Sequence, residues 1–194
     1  MTLPERHTTR LKNYDYSQPG AYFITLCTEH RRCCFGAIND GDLQLNTIGK
    51  MITSVWQSLA TQIVYIKLDE FVVMPNHFHG IVFINRERAI HELPLQNPPP
   101  TSVGAIQESP TVARLRRDTR RQMLLPKIVG RFKMQTAKQF NLSSSNDGTA
   151  QWQRNYHEHI IRNDADLTRL REYITHNPLR WSLDRENPDN RQQP

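Results

Sequence analysis

Pro75-Asn76-His77-Phe78-His79-Gly80 sets two imidazoles two residues apart inside an apolar stretch. In a strand alternate side chains share a face, so His77 and His79 point the same way and Phe78 the other. Two imidazoles on neighbouring same-face positions can chelate one divalent ion, the strand fixing their spacing. H-x-H is short, and it also fits two histidines on a half-exposed strand. A second set is Glu172-Tyr173-Ile174-Thr175-His176-Asn177-Pro178. Tyr173 and Asn177, four apart, stack on one helix face, while Ile174 faces the core with Leu170. A free phenol, with a pKa of about 10, is a poor nucleophile. Beside a metal-bound phosphate it can attack phosphorus and form a covalent phosphotyrosine, and the Asn177 amide oxygen could supply a third, hard ligand. Alone, this set also reads as a tyrosine packed on a sheet and an asparagine ending a helix before proline.

The third feature is charge. Between Thr111 and Phe140 stand Arg114, Arg116, Arg117, Arg120, Arg121, Lys127, Arg131, Lys133 and Lys138, nine cations against one acid, Asp118. A charge run is ordinarily a solvated face. One this unbalanced, next to a phosphate-cleaving site, reads as a track for a nucleic-acid backbone. Arg6, Arg10, Lys12, Tyr14 and Tyr16 mix cations with rings that can stack on single-stranded bases. The residues expected to contact a nucleic acid are Arg10, Lys12 and Tyr14 in this arm, and Arg116, Arg117, Arg120, Arg121, Arg131 and Lys133 in the track.

Positioning these groups requires a sheet and at least two helices. Ala21 to Thr28 is β-branched and aromatic and reads as a strand. Asn46 can cap a helix whose stripe is Ile48, Ile52, Val55, Trp56 and Leu59. Tyr65 to Met74 and His77 to Ile84 read as strands joined by Pro75-Asn76, hence antiparallel. Residues 86–125, with Asn97-Pro98-Pro99-Pro100, read as an insertion or mobile binding segment. A helix from about Pro126 to Asn141 buries Ile128, Val129, Phe132 and Phe140. Tyr156 to Ile161 is strand-like, and Asn163 or Asp164 caps a last helix burying Leu167, Leu170 and Ile174, ended by Pro178. The order strand, helix, strand, strand, helix, strand, helix implies an α+β fold, a ferredoxin-like split βαβ sandwich with an antiparallel sheet and the tyrosine on the C-terminal helix. The expected organisation is a basic arm (1–20), the main domain (21–183) and a polar, frayed tail (184–194).

Composition agrees. The chain has 194 residues, 25 Lys+Arg against 19 Asp+Glu, and a formal charge of +6. A pI near 9.5 favours a polyanionic partner. Mean hydropathy is −0.66, and no run approaches the ~20 apolar residues of a membrane span. The N-terminus has no apolar core of a signal peptide, so the expected address is the cytoplasm. Cys27, Cys33 and Cys34 are odd in number and clustered, which excludes a zinc ribbon and argues against a disulfide framework.

Taken together, the motifs resemble the HUH single-strand DNA transposases with one catalytic tyrosine, most closely the REP-associated tyrosine transposases. The matching stretches run from Arg10 to Thr25, Glu70 to Gly80, Ile128 to Lys133, Trp152-Gln153 with His159 to Arg162, and Glu172 to Pro178. They span nearly the whole chain outside the Pro-rich segment and the tail. The resemblance implies that His77 and His79 are the histidine pair, Tyr173 the nucleophile and Asn177 the third ligand of one Mg²⁺ or Mn²⁺. Tyr156, followed by His157-Glu158-His159, is the competing nucleophile. It reads as part of a strand, and the resemblance sets that strand before the catalytic helix. His176 is chemically the better ligand, but the family pattern has an amide at the later position, so His176 stands in reserve.

The implied chemistry is cleavage of single-stranded DNA beside a foldback hairpin, such as a repetitive extragenic palindrome (REP) of a bacterial chromosome. A 5′-phosphotyrosine and a free 3′-OH form, and a second 3′-OH can reverse the step without ATP. The expected location is the bacterial cytoplasm, at the nucleoid, as a monomer or a helix-exchanging homodimer. The alternatives are a related HUH nicking enzyme of replication or conjugation, a non-catalytic hairpin-binding protein, and a metal-dependent hydrolase that activates water.

Overall fold

In chain order the elements are β1 (Gly20–Cys27), β2 (Gly36–Asn39), β3 (Asp42–Leu45), α1 (Thr47–Gln62), β4 (Ile66–Val73), β5 (His77–Ile84), α2 (Leu124–Ser143), β6 (His157–Ile161) and α3 (Asp164–His176). The structure is a computed structural model and describes residues 14–85, 123–143, 152–184 and 186–191. β1 pairs antiparallel with both β5 and β6, and β5 with β4, giving the sheet order β4-β5-β1-β6. β1 and β4 therefore run parallel on either side of β5, linked by α1. β5 and β6 repeat the arrangement around β1. This is the expected ferredoxin-like split βαβ sandwich with an antiparallel sheet.

Alternation along the strands separates two cores. Tyr22, Ile24 and Leu26 of β1 and Phe78, Val82 and Ile84 of β5 face α1 and α2, where Ile52, Trp56, Leu59, Ile128, Val129 and Phe132 meet them. Ala21, Val72, Met74, Ile81 and Ile161 face the other way, against Leu170 and Ile174 of α3. The Asn46 side chain caps α1 by accepting from the Gly49 N–H at 3.0 Å. Asn163 does the same for α3 through Asp166 at 2.8 Å. α2 begins two residues before the expected Pro126. Its first amides are satisfied by the preceding arm: Leu124 N–H donates to Ser17 Oγ at 3.1 Å and Leu125 N–H to the Tyr16 carbonyl at 3.2 Å. Tyr16 is buried in the α1/α2 core rather than offered for stacking, because the arm crosses that core on its way into β1.

Three further features depart from expectation. The register of β4 against β5 shifts between Leu68 and Phe71, so one bulge lets both of those side chains join the α1/α2 core. A second sheet, the β2–β3 hairpin, turns at Asp40-Gly41, both at positive φ (51° and 86°). The segment after α3 is not frayed over its described residues. Pro178–Leu183 is a 3₁₀ turn, and Glu186 and Asn187 are buried. The Glu186 carbonyl accepts from Asn76 Nδ2 at 2.7 Å, a backbone tie that polarity alone does not reveal. Residues 86–122 of the expected insertion and 1–13 of the arm lie outside the described residues.

Gly80, which ends the motif, serves packing. A Cβ there would stand 2.8 Å from the Phe78 ring and 2.9 Å from Trp56. Both rings are fully buried. Gly80→Ala is expected to destabilise the fold by about 1–3 kcal/mol, lowering the melting temperature by about 2–4 °C per kcal/mol. An unchanged melting temperature in calorimetry would refute this account of the glycine.

Candidate active site

β5 puts His77 and His79 on the α3 side of the sheet, beside Ile81. Both are buried, with ring centroids 4.6 Å apart. Each is held through Nδ1. His79 Nδ1 lies 2.8 Å from Thr25 Oγ1, the residue opposite it on β1. His77 Nδ1 lies 2.9 Å from Asn76 Oδ1. The Asn76 Nδ2 amide donates to the Arg31 and Glu186 carbonyls at 3.1 and 2.7 Å, so its oxygen faces His77 as an acceptor. His77 then carries its proton on Nδ1 and its lone pair on Nε2.

Burial, reinforced by His77, holds the pKa of His79 well below that of a free imidazole. For His77 burial is again the main cause and Arg31 adds to it. Asp184 and the Asn177 side chain oppose, leaving the pKa at about 4. Both imidazoles are therefore neutral at neutral pH, the state that binds a metal.

α3 brings Tyr173 and Asn177 to this pair. The Tyr173 hydroxyl is 3.4 Å from His79 Nε2, and the ring is 38% exposed. Asn177, one turn on, is 2% exposed. It stands against His77. His77 Nε2 and Asn177 Oδ1 are both buried without a hydrogen bond among the described residues. Two facing orphan lone-pair donors are what a cation would satisfy, so the residues present fit a divalent ion. No three His, Cys, Asp or Glu side chains converge on one point among the described residues. The third donor beside the imidazoles is an amide.

Of the alternatives, His176 is exposed and its Nδ1 is bonded to the Glu172 carbonyl at 2.8 Å, away from the pair. Tyr156 is buried on the opposite face of the sheet, with Lys133 Nζ 5.9 Å from its ring centroid. His159 pairs with Asp166 at 2.7 Å. Arg131 is exposed on α2, its Nη1 3.5 Å from the Gln62 carbonyl. Lys133 donates to the carbonyls of Gln153 and Asn155 at 2.6 and 3.0 Å, clamping the approach to β6. α2 packs on the face opposite His77 and His79. Tyr14 is half-buried, edge-on to Tyr16 at 4.9 Å. Arg10, Lys12, Arg116, Arg117, Arg120 and Arg121 lie outside the described residues.

Several positioning groups escaped the sequence reading. Phe23 stacks on His79 (5.2 Å, 22°) and meets Tyr173 edge-on (6.1 Å, 74°). Asp69, at the β4 bulge, takes Arg171 of α3 in a fork, with Nε 3.1 Å and Nη2 2.5 Å from Oδ2. That pair fixes the helix two residues before the tyrosine. Alternation along Ala21-Phe23-Thr25 was the available signal for Phe23. Nothing local marked the bulge.

No family model matches the chain. An uncharacterized protein of Haemophilus influenzae is 35% identical over 183 residues, which is 94% of this chain and 93% of the relative. The two belong to one family. Among solved structures, that of a REP-associated tyrosine transposase bound to a REP hairpin superposes with a TM-score of 0.50 at 18% identity, covering 88% of this chain and 73% of the other. The chain thus has the fold of a REP-associated tyrosine transposase, as its motifs implied. In this chain the helix after β6 lies on the histidine side of the sheet, and α1 and α2 pack on the other.

The buried imidazoles make stability depend on pH. The folded pKa of His77, about 4, lies below its unfolded value of 6.5. Between these values the unfolded chain binds more protons, so stability falls as pH drops through that window. His77 alone accounts for about 3 kcal/mol between the two limits. The urea midpoint is expected to fall more steeply from pH 6.5 to 4.5 in the wild type than in His77→Gln. Parallel curves would contradict burial as the cause.

Proposed function

We propose that this protein is a metal-dependent single-strand DNA nicking and joining enzyme, a transposase acting beside REP-type hairpins through a 5′-phosphotyrosine. The observation that carries the reading is the hydroxyl of the 38%-exposed Tyr173, 3.4 Å from His79 Nε2 and next to the buried orphan donors of His77 and Asn177. His77, His79 and Asn177 would hold one Mg²⁺ or Mn²⁺. Such an ion, when bound, polarises the non-bridging oxygens of the scissile phosphate and stabilises charge in the transition state.

The chain's own residues do the rest. Neutral His77 offers its Nε2 lone pair because the Asn76 oxygen accepts from Nδ1, and Thr25 orients the neutral His79 ring. Phe23 and the Asp69–Arg171 fork aim the phenol. The Tyr173 oxygen attacks phosphorus in line, a Tyr–O–P bond forms and the P–O3′ bond breaks. The phenol gives up its proton, and the leaving oxygen takes one up to become a 3′-OH. Another 3′-OH attacking the phosphotyrosine runs the step backwards and joins strands, so no hydrolysis of a nucleotide drives it.

For the DNA path, the arm with Arg10, Lys12 and Tyr14 and the run with Arg116, Arg117, Arg120 and Arg121 remain our choice, joined by exposed Arg131. Lys133 contributes less, being held by backbone carbonyls. Because α2 packs on the face away from the histidines, a strand touching both must round an edge of the sheet. We place the enzyme in the bacterial cytoplasm, at the nucleoid, as a monomer or homodimer. No described helix is long and apolar enough to cross a membrane.

Tyr173→Phe removes one oxygen. It is expected to abolish the covalent adduct with a labelled hairpin substrate in Mn²⁺ while leaving hairpin affinity within about threefold, and Tyr156→Phe is expected to keep the adduct. An adduct that survives in Tyr173→Phe and vanishes in Tyr156→Phe would transfer the role. A wild type that binds hairpins but never forms an adduct would point instead to a non-catalytic binder.

Charge reversal at Arg116, Arg117, Arg120 and Arg121 together should flatten the salt dependence of hairpin affinity by up to about one unit of slope per lost contact. Cleavage at saturating DNA should hardly change. An unaltered slope would assign binding to the N-terminal arm.

A further inference from the structure

A strand that touches both α2 and the histidine face has two edges of the sheet to choose from, β4 and β6. Leu170 and Ile174 turn into the sheet, so 100° per residue puts Tyr173 on the flank of α3 opposite Arg171. Arg171 reaches Asp69 of β4, and the phenol therefore leaves on the β1–β6 side. Register sets the floor there. Thr25 stands between His79 on β5 and His157 on β6, and Phe23 lies opposite His159. His157 and His159 thus share the face of His77 and His79. His159 closes one end of this groove, reaching Asp166 on α3 at 2.7 Å, with Arg169 on the same carboxylate at 2.5 Å. His157 is exposed and marks the open end, two strand spacings or roughly 9–10 Å from His79. Just before it, exposed Arg154 lines an open cavity of about 560 Å³ with Glu29, His30, Arg31, Gln153 and Asn155. Lys133 of α2 holds this same approach through the Gln153 and Asn155 carbonyls, which brings it to the α2 side. The β4 edge is unsuited. The Asp69–Arg171 fork fills the space between α3 and β4, and Glu70 beside it is an exposed acid.

We propose that the single-stranded part of the DNA reaches Tyr173 across the β6 edge, where His157 and Arg154 bind its backbone phosphates. The proposal rests on the reading of Tyr173 as the nucleophile, and adds to it a route and two binding residues. A neutral imidazole keeps one N–H in either tautomer and can donate it to a phosphate oxygen. A guanidinium can grip two such oxygens at once. Neither group reads a base, so the route orients the strand without fixing its sequence. A phosphate on His157 leaves the chain to run inward over β1 to the phenol and outward past Arg154 towards α2. The bridge from His159 to Asp166 blocks the other direction.

The test is fluorescence anisotropy with the full chain in EDTA, where no cleavage intervenes. Two labelled oligonucleotides are compared, a bare DNA hairpin and the same hairpin with a single-stranded flank. The flank is expected to tighten binding by the wild type. His157→Ala combined with Arg154→Glu should lose about fivefold or more in affinity for the flanked hairpin and flatten its salt dependence by about one unit of slope. The bare hairpin should bind within about twofold of the wild-type value. His157→Gln, which keeps an N–H donor, should retain most of the flanked affinity. Lys67→Glu reverses an exposed cation on the β4 edge and should leave both oligonucleotides unaffected. A loss in Lys67→Glu with none in the double variant would move the strand to β4 and overturn the proposal. Equal losses on bare and flanked hairpins, or a flank that adds nothing in the wild type, would overturn it as well. If the wild type forms the Tyr173 adduct in Mn²⁺ while the double variant keeps full flanked affinity, the route falls and the chemistry stands. If the double variant loses only the flank and the wild type forms no adduct, the chemistry falls and the route stands.

Discussion

Two imidazoles buried on an apolar strand must stay neutral, and the rest of the site follows from that. Charging either would place a cation in a low-dielectric interior, so burial drives both pKa values down. Neutrality alone does not aim a lone pair. For His77 that is done by Asn76, at the turn before β5, whose amide oxygen accepts from Nδ1; Thr25 on the neighbouring strand holds the His79 ring in place through its Nδ1. Asn76 is in turn pinned by two backbone carbonyls, one from the Arg31 turn and one from Glu186 in the tail. The orientation of one imidazole therefore depends on three segments far apart in sequence. Losing any of them would free the ring before it changed the strand.

The proposed nucleophile faces the opposite requirement. In that role Tyr173 would have to meet a phosphate arriving from solvent while staying beside buried groups. The helix resolves this by direction. Ile174 and Leu170 sink into the sheet, while Tyr173 remains 38% exposed and Asn177, a turn later, reaches 2%. A helix held by two apolar residues could slide. The Asp69–Arg171 fork limits sliding, because bidentate geometry tolerates little displacement. Its energetic value is modest, since Arg171 is 44% exposed. Its contribution is to register rather than to stability.

Local pattern made much of this legible. Period-two alternation in His77–Ile84 put the histidines on one face, and Asn46 and Asn163 marked helix starts through a side-chain bond that short-range sequence encodes. The residues that escaped depend on pairing across distance. Thr25 becomes a partner of His79 only once β1 and β5 are in register. The bulge at Asp69 exists only against β5. Tyr16 looked like a stacking surface because its ring type suits bases, but the arm crosses the core and buries it. Lys133 looked like a free cation until three neighbouring carbonyls came within its reach. The tail is polar, and polarity argued for fraying. Its polar groups instead satisfy buried partners, and hydropathy cannot distinguish that from solvation.

The β2–β3 hairpin illustrates the same limit from the other side. Asn39-Asp40-Gly41-Asp42, between short alternating stretches, is a strong local turn signal. The strands beside it are four residues each, too short to stand out by composition. Their support is tertiary. Ile38, Leu43 and Trp181 all pack on the α3-side core, and β3 lies against the 3₁₀ turn that leads to Asp184. The hairpin therefore props the segment that reaches the histidines, although it contributes no group to them. A small domain whose histidine strand is central has to brace its tail from outside the sheet, and among the described residues this hairpin is the element that does so.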